Sequence, residues 1–374
     1  MHMTILSVAY ALAPVAPGAV GGAEQVLSRL DAELTRAGHQ SIVVACEGSQ
    51  VSGRLLAVPR PEGDFDETAR RMAAWRHRDA IVRALENWPV DAIHLHGVDF
   101  LNYLPARDLP MLATLHLPIS WYPRAVFQLG RPQLFFNCVS ASQHRNCAPC
   151  ANLLPPIENG VPEEFFSARH AKRRFALALG RICPEKGFHI ALDAAAQAGV
   201  RMLIAGQVFP YADHKKYFEE KIAPRLNASA RFIGPVRPPR TKRLLAAARC
   251  LLVPSLAPET SSLVAMEALA CGTPVIAFRS GALAELVEPG RTGFLVSSRE
   301  EMAEAIRQAD SIDPEVCRRT ARERFSVKQM ARRYFDVYRR LAGSKANPFN
   351  RHDYGAFAVA RGGTSPECRM SVGS

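Results

Sequence analysis

The strongest chemical signal in the chain is a pair of cations, Arg181 and Lys186, in the segment Gly180-Arg181-Ile182-Cys183-Pro184-Glu185-Lys186-Gly187. An arginine side chain forks around two phosphate oxygens, and a lysine ammonium is a mobile point charge. The helix expected to begin at Phe188 adds the positive end of its dipole, which favours anions. The segment therefore predicts a diphosphate site, and a surface salt bridge is the alternative.

Two carboxylates, Glu259 and Glu267, stand eight residues apart in the segment 258–276. If Ser262 caps a helix, Glu267 lies about 7 Å along it. A diphosphate at the helix start would then place a ribose near Glu267 and a sugar near Glu259, because carboxylates accept hydrogen bonds from vicinal hydroxyls. A solvated face is the alternative for each residue alone, but the neighbours of Glu267 are apolar, so its carboxylate needs a partner.

Histidines and glycines end three strand-like runs in the first half of the chain. His94 and His96 share one face of a strand, because alternate residues point the same way, and His116 ends the next strand. A role in a ligand cleft competes here with a structural role. Gly21 and Gly22 follow the first strand and open a helix, where free amides suit a ligand and a tight turn is the alternative.

These segments lie between strands and helices in a chain that alternates the two. The first half predicts strands at 4–9, 41–45, 92–95, 111–115 and 134–139, with helices at 22–37 and 70–88. The second half predicts strands at 175–179, 202–205, 231–233, 251–253, 275–277 and 294–296, with helices at 188–198, 211–226, 241–248, 262–270, 300–309 and 327–341. Apolar strands alternating with helices indicate parallel sheets covered on both faces, and ligands bind at the carboxyl ends of such strands.

A proline- and glycine-rich stretch at 154–162 divides the pattern into two domains. We expect an N-terminal domain over 1–162, a second domain over 163–326, a helix at about 327–342 that packs back on the first domain, and a loose tail over 343–374.

The 374 residues include 47 Lys+Arg and 35 Asp+Glu, which gives a net charge of +12. Counted separately, residues 1–160 carry −1 and the remainder +13. The excess predicts an anionic partner for the second half: a nucleotide, a nucleic acid or a membrane surface, with a solvated basic face as the alternative. Much of the excess lies in 318–340.

Composition excludes several classes of protein. The hydrophobic share of 48% excludes a disordered chain. The sequence contains no run of 18 or more uncharged apolar residues, so it does not predict a protein with several membrane spans. The short apolar N-terminus predicts a strand rather than a secretory signal. Nine scattered cysteines fit a reducing compartment, so we expect a cytoplasmic protein.

Taken in order, these segments resemble those of GT-B fold glycosyltransferases of family 4, over about residues 1–342. The resemblance implies an α/β fold of two doubly wound parallel-sheet domains that face each other across a cleft. It implies a retaining transfer of a sugar from a nucleotide-diphosphate donor. Further carriers of the resemblance are Gly21-Gly22-Ala23-Glu24, Glu158-Asn159-Gly160-Val161 and Gly272-Thr273-Pro274-Val275.

The family's residue roles carry over to matching positions. The resemblance implies that Arg181 and Lys186 hold the donor diphosphate, that Glu267 binds the ribose, and that Glu259 and His116 contact the sugar. Gly21 and Gly22 would back the phosphates and the acceptor across the cleft, and Ser262 and Leu263 would meet the donor at the helix start. One departure is that Ser261-Ser262 replaces the family's common Phe-Gly, which leaves the sugar open.

No metal or other cofactor is expected, because the two cations and the helix dipoles supply positive charge where the leaving phosphate develops negative charge. Asp64-Phe65-Asp66 resembles the metal-binding D-x-D of another glycosyltransferase fold, but its loop position favours a solvated turn and a helix start. The alternatives to a transferase are a GT-B nucleotide-sugar epimerase and a non-catalytic GT-B scaffold.

The acceptor is the least constrained partner. A cell-envelope glycan or a glycolipid suits the first domain, whose helix at 70–88 is basic and amphipathic and would suit peripheral contact with the inner face of a membrane. An ordinary helix with a charged outer face is the favoured interpretation of that segment. No nucleic-acid partner is expected, because no motif of known docking geometry is present.

Overall fold

Two parallel sheets, one in each half of the chain, organise the molecule. The computed structural model describes residues 2–60 and 66–343. The first sheet has seven strands in the order β3-β2-β1-β4-β5-β6-β7 and the second has six in the order β10-β9-β8-β11-β12-β13. The strands of the first sheet are β1 Thr4–Val8, β2 Gln40–Cys46, β3 Arg54–Val58, β4 Ala92–Leu95, β5 Met111–Leu115, β6 Leu134–Cys138 and β7 Leu153–Leu154. Those of the second are β8 Phe175–Leu179, β9 Arg201–Ala205, β10 Ala230–Phe232, β11 Cys250–Val253, β12 Val275–Phe278 and β13 Gly293–Val296.

Helices connect the strands and cover both sheets. In the first half they are α1 Gly22–Arg36, α2 Glu67–Asn87, α3 Ala141–Arg145 and α4 Glu163–Phe166. In the second half they are α5 Phe188–Ala198, α6 Ala212–Tyr217, α7 Pro238–Ala247, α8 Leu263–Ala270, α9 Leu283–Leu286, α10 Arg299–Gln308, α11 Pro314–Phe325 and α12 Val327–Gly343. The expected fold class, two doubly wound parallel-sheet domains, is confirmed.

Several elements differ from the sequence prediction, which also lacks the short elements β7, α3, α4 and α9. Strand β3 was not predicted; it is an edge strand in which only Val58 is buried, and its apolar run covers just the four residues 55–58. Helix α11 was not predicted either; Asp313 caps it, and its buried residues are spread among arginines. The single helix expected at 211–226 is α6, followed by a π-helical turn over Phe218–Ile222 and a 3-10 turn over Ala223–Arg225. Pro224, which has no N–H to donate, lies in that last turn.

The C-terminal helix α12 packs on the first sheet rather than the second. Its Met330, Tyr334, Tyr338 and Leu341 join the apolar cluster that also contains Leu30 of α1. Because a helix buries one face against the core that it covers, α12 is structurally part of the first unit.

The chain crosses between the two units twice, at adjacent points. Val161 on the first crossing forms a parallel bridge with Ser326 on the second. The Val161 amide donates to the Phe325 carbonyl at 2.6 Å, and the Val327 amide donates to the Val161 carbonyl at 3.0 Å. The two connections are thus held side by side. The tail expected beyond 343 lies outside the described residues.

Among residues 2–60 and 66–343, no helix combines the length and apolar character that crossing a membrane requires. The eight cysteines within these ranges are free thiols.

Candidate active site

Four of the loops singled out in the sequence follow strands at which the strand order reverses. In the first sheet β1 lies between β2 and β4, and in the second β8 lies between β9 and β11. Gly21-Gly22 lies between β1 and α1, His96 directly follows β4, and Arg181 and Glu259 follow β8 and β11. The carboxyl ends of strands at such a switch point form a crevice that binds ligands. In each sheet, the candidate residues therefore lie at the position where a ligand is expected.

The loop after β8 presents Arg181 to solvent. Arg181 is exposed, and within the described part of the chain its guanidinium makes no hydrogen bond or ion pair. A single 3-10 turn, Pro184–Lys186, leads to Gly187, which has a positive φ of 63° and precedes α5. A Cβ at Gly187 would lie 2.2 Å from the Pro254 carbonyl oxygen, so only glycine fits there. The loop is therefore fixed at its base and leaves Arg181 available for a ligand.

Lys186 and Glu259 meet at the carboxyl ends of β8 and β11. The Lys186 ammonium lies 2.6 Å from Glu259 Oε1, and the side chains are 26% and 12% exposed. The Ser255 hydroxyl donates to the same oxygen. Gly281, at φ 55°, packs against the Glu259 backbone, where a Cβ would lie 2.3 Å from its carbonyl oxygen. A partly open carboxylate held at one oxygen keeps its other oxygen free to accept from a hydroxyl.

The start of α8 has free hydrogen-bonding capacity. Ser262 occupies the N-cap position, as expected, but its hydroxyl makes no capping hydrogen bond. Ser261 accepts a hydrogen bond of 3.0 Å from the Asn159 side-chain amide, which crosses from the first unit. The first-turn amides of a helix have no intrahelical acceptors, so this end of α8 suits an anion.

Glu267 has a partner that the sequence did not reveal. Arg29 of α1 donates to Glu267 Oε1 at 2.6 Å, and the two side chains are only 7% and 9% exposed. The same guanidinium donates to the Gly160 carbonyl at 2.8 Å. Burial raises the pKa of Glu267, and the charge of Arg29 opposes that shift. This ion pair joins the two units through a buried contact.

Three histidines form a continuous buried row in the first unit. His96 Nδ1 lies 3.0 Å from His116 Nε2, and the His94 and His96 rings are 3.9 Å apart between centroids. His94 is fixed by Tyr338 at 2.6 Å and Thr114 at 2.7 Å. Burial lowers the pKa of His116 to about 3 and that of His96 well below its usual range. All three imidazoles are therefore neutral near pH 7, and His116 can bind a ligand only as an uncharged hydrogen-bonding group.

The glycine turn after β1 faces the start of α8. A Cβ at Gly22 would lie 3.5 Å from the Leu263 side chain, which places the turn across from the second unit. A Cβ at Gly21 would lie 1.8 Å from a Glu24 carboxylate oxygen, so a side chain at this position would have to displace that carboxylate. Glu24 is buried, and desolvation raises the pKa of its carboxyl.

A second set of polar side chains in the first unit, Asp99 and Tyr103, lies in and next to the loop after β4. Asp99 accepts a hydrogen bond of 2.9 Å from the Tyr103 hydroxyl, and burial raises the pKa of Asp99 to about 6. Gly97 separates these groups from Tyr10, because a Cβ there would lie within 3.2 Å of all three residues. The sequence prediction missed Asp99, although it stands three residues beyond His96.

Three ligand atoms in and beside the loop after β8 are close enough to hold a metal ion. One each from Cys183, Glu185 and His214 lie within 4.8 Å of one another. A Cys, a carboxylate and a His suit zinc by chemistry. Asp66 of the D-x-D segment instead caps α2 by accepting from the Ala69 amide at 2.7 Å. Asp64 and Phe65 lie outside the described residues.

The candidate residues thus form two groups that face each other. Lys186 and Glu259 are in direct contact and Arg181 lies on the same loop as Lys186. His116 is linked to the second unit, because its carbonyl accepts a hydrogen bond of 2.9 Å from Thr260. Arg29, which joins the units, was missed, and Asn159 was singled out only within the segment Glu158-Asn159-Gly160-Val161, with no role assigned. The sequence signal for Arg29 is a charge on the face of α1 that carries Val26 and Leu30.

Two family models match successive parts of the chain. Residues 20–148 match the model described as glycosyltransferase family 4, and residues 161–324 match the model described as glycosyl transferases group 1. Together they cover the whole second sheet and the strands β2 to β6 of the first.

Individual relatives give a consistent result. A D-inositol 3-phosphate glycosyltransferase from Corynebacterium urealyticum is 29% identical over 225 residues, which are 54% of this chain and 53% of that protein. The chain spans about half the length of the curated relatives it matches, or less.

Solved structures match over nearly the whole chain. A glycosyltransferase involved in avilamycin A biosynthesis is 27% identical, with a TM-score of 0.71 over 91% of this chain and 99% of that one. HepE of Anabaena, in complex with UDP and glucose, is 20% identical with a TM-score of 0.70 over 90% and 99%. The second likeness concerns the fold alone.

Proposed function

Because this chain belongs to glycosyltransferase family 4 and has the GT-B fold, we propose that it transfers a sugar from a nucleotide-diphosphate donor to an acceptor hydroxyl, with retention of anomeric configuration. The observation that carries the proposal is the exposed, unpaired Arg181 on the same loop as the Lys186–Glu259 pair. The two cations suit the phosphates of a donor, and the neighbouring Glu259 carboxylate can accept hydrogen bonds from the hydroxyl groups of its sugar.

We assign donor binding to the second unit. Arg181 and the start of α8 at Ser262 and Leu263 would hold the diphosphate, with Lys186 between phosphate and sugar. Glu267 would accept from the ribose through the carboxylate oxygen that Arg29 leaves free. The UDP bound by HepE of Anabaena is consistent with a donor of this class.

The transfer breaks the bond between the anomeric carbon and the phosphate oxygen and forms a bond from that carbon to the acceptor oxygen. In a retaining reaction of this type the acceptor approaches on the face that the phosphate leaves. The acceptor proton then passes to the departing phosphate oxygen, and no side-chain base is assigned. Arg181 and Lys186 stabilise the negative charge that develops on the phosphate.

Glu259 and His116 would orient the donor sugar from opposite sides of the cleft. Glu259 is fixed by Ser255 and Lys186, and His116 is fixed by His96. Because the low pKa of His116 keeps it neutral, we assign it a hydrogen bond to a sugar hydroxyl rather than proton transfer.

We assign the acceptor to the first unit, near Asp99 and Glu24. Asp99 lies in the loop after β4 and Glu24 in the first turn of α1, after β1, and an ionised carboxylate accepts from hydroxyl groups. The matched inositol phosphate glycosyltransferase supports a hydroxyl-rich acceptor as the first to be tested. An acceptor linked to a lipid or an envelope glycan stays a prediction, together with a cytoplasmic location at the inner face of a membrane. The exposed apolar side chains of Met72 and Trp75 on α2 support contact with a membrane surface.

The test is a screen of nucleotide-diphosphate sugars for binding by calorimetry and for acceptor-independent hydrolysis. Saturable binding of one donor, lost in Arg181→Gln, supports the proposal. Binding of no donor would favour a non-catalytic scaffold. Formation of a 2-epimer without acceptor would favour the epimerase.

A further inference from the structure

A groove lies in the second unit, at the amino ends of the strands and thus at the opposite edge of the sheet from the candidate active site. Its volume is about 1760 Å³. Six arginines line it: Arg173, Arg174, Arg201, Arg231, Arg240 and Arg243. Lys172 and a seventh arginine, Arg249, belong to the same wall.

The strand order places these arginines together. Arg201 is the first residue of β9, Arg231 is the second of β10, and Arg174 immediately precedes β8, while β10, β9 and β8 are neighbours. Residue Phe175 pairs with Arg201 in the parallel register. Adjacent strands lie about 4.8 Å apart, so the strand starts form a basic row, and Arg240 and Arg243 add a second row from one face of α7.

The groove is separate from the cleft. Arg181 lies beyond the carboxyl end of β8, whereas Arg174 lies at its amino end. Five residues of strand span about 17 Å, so a ligand at the diphosphate site does not reach this row.

The positive charge of the groove is not neutralised by the protein. Arg249 pairs with Asp310 at 2.9 Å, and Asp310 is the only acidic residue in the lining. The six other arginines make no side-chain ion pair or hydrogen bond within the described ranges. Lys172 donates to the Thr273 hydroxyl, and burial together with the nearby Arg318 lowers the pKa of Lys172 to about 8. By contrast, several cations of 318–340 are paired, among them Arg318, Arg324 and Arg339.

The shape and the lining narrow the chemistry of the ligand. The groove exceeds the roughly 300–1,000 Å³ of ordinary small-molecule pockets, which indicates an extended ligand. Apart from the His170 imidazole, the one aromatic ring among the lining residues is Phe175, and it is only 9% exposed. Single-stranded nucleic acids bind on stacked aromatic side chains, so this wall does not suit them.

A membrane surface also fits poorly. Peripheral binding uses large apolar side chains that enter the lipid, and none of the exposed large hydrophobic residues of the described chain lines the groove. The basic side chains line a concavity, whereas a headgroup layer is a broad surface. Arginine forks bind phosphate oxygens two at a time, which suits phosphates spaced along a chain.

We propose that this groove is a binding site for an extended polyanion of linked phosphate groups, separate from the active site. The class of ligand is a polyphosphate chain without bases or lipid. The site does not depend on the proposed transferase function.

The test measures binding of inorganic polyphosphate to the full chain at several salt concentrations. The variant Arg174→Gln/Arg201→Gln/Arg231→Gln removes one arginine from each of three adjacent strand starts. A matched control, Arg124→Gln/Arg319→Gln/Arg332→Gln, removes the same charge at exposed positions elsewhere. We expect the groove variant to bind at least about tenfold more weakly with a shallower salt dependence, and the control to bind nearly as the parent does.

Thermal unfolding and donor binding are measured on the same variants. Both are expected to match the parent, because all the substituted side chains are exposed and those of the groove variant lie at the amino ends of their strands, away from the cleft. Equal weakening by both triple variants would overturn the proposal, as would no polyphosphate binding by the parent. Binding only to phosphatidylglycerol vesicles, or only to single-stranded RNA, would also overturn it. If the parent binds polyphosphate but no nucleotide-sugar donor, the proposed transferase function is refuted and the proposed polyphosphate site is not.

Discussion

Arg29 and Glu267 form a buried ion pair between the two units, with 2.6 Å between Nη2 and Oε1. Each residue comes from a helix that follows a strand at a switch point, α1 after β1 and α8 after β11. The carboxylate expected to hold the donor ribose is therefore also the carboxylate that ties the units together. Stability and donor binding are expected to share one side chain.

Replacing one partner of this pair is expected to be costly. Arg29→Met leaves the Glu267 carboxylate buried without its cation, a change that typically costs about 3–5 kcal/mol. Glu267→Gln keeps the shape but removes the charge, and we expect it to weaken donor binding as well. Chemical denaturation and calorimetry with the donor measure the two effects. If Arg29→Met/Glu267→Met is no more stable than Arg29→Met, the penalty does not come from the unpaired charge.

Arg181 is expected to act on the reaction without affecting the fold. Arg181→Gln removes an exposed guanidinium that makes no intramolecular pair, so the melting temperature should change little. Loss of a charge aimed at the leaving phosphate should lower the transfer rate about 10²–10³-fold. Arg319→Gln on α11, also exposed, serves as the control and should retain the parent's rate. A rate in Arg181→Gln within twofold of the parent's would contradict the assignment.

Asp99 is expected to make acceptor binding depend on pH. Its pKa is raised to about 6, so the carboxylate that we propose accepts from acceptor hydroxyls is present above pH 6 and is lost as the pH falls below it. The KM for the acceptor should therefore rise on acidification. Asp99→Asn should show a high KM that is flat with pH. A KM that rises equally in the variant would assign the effect to another group.

Metal independence stays a prediction, and the Cys183, Glu185 and His214 cluster defines how to test it. We expect extensive dialysis against EDTA to leave the transfer rate unchanged, because Arg181 and Lys186 supply the charge that a cation would otherwise provide. Cys183→Ala removes the soft ligand and should behave in the same way. A rate that falls on dialysis and returns with zinc, in the parent but not in Cys183→Ala, would show that the cluster serves catalysis.

His77 is expected to contribute to acid sensitivity. It is fully buried in the first unit, neither ring nitrogen has a hydrogen-bond partner among the described residues, and burial lowers its pKa to about 4. The unfolded chain, with an ordinary pKa near 6.5, binds the proton more readily. The stability is therefore complete above about pH 6.5 and falls toward pH 4, by up to about 1.4 kcal/mol per pH unit.

His77→Leu should remove this part of the pH dependence. The buried row of His94, His96 and His116 acts in the same direction and stays in the variant, so the comparison is the difference between the two pH profiles. Urea denaturation between pH 4.5 and 7.5 measures it. Parallel profiles would contradict the role of His77.

Local patterns predicted every strand except β3 and β7, most helices, and the loops that carry Arg181, Glu259 and His116, because buried strands and helix starts have sequence signatures within a few residues. Contacts between distant segments could not be predicted in this way. Arg29 meets Glu267 across 238 residues, and no periodicity relates the two positions. The arginines of the groove are likewise separated in sequence and meet only because β8, β9 and β10 are neighbours.

The return of α12 to the first sheet means that this domain is not one continuous stretch of sequence. A fragment that ends at residue 160 would lack Tyr334 and Tyr338, which fill the first core and hydrogen-bond Thr114 and His94. Such a fragment would expose the apolar surface that α12 covers, and His94 would lose its hydrogen bond to Tyr338. A peptide of residues 327–343 supplied separately should bind that apolar surface and restore the fold of the first domain. The second domain differs, because residues 162–325 contain its whole sheet in one continuous stretch. The first domain is thus suited to fragment complementation, and the second to expression on its own.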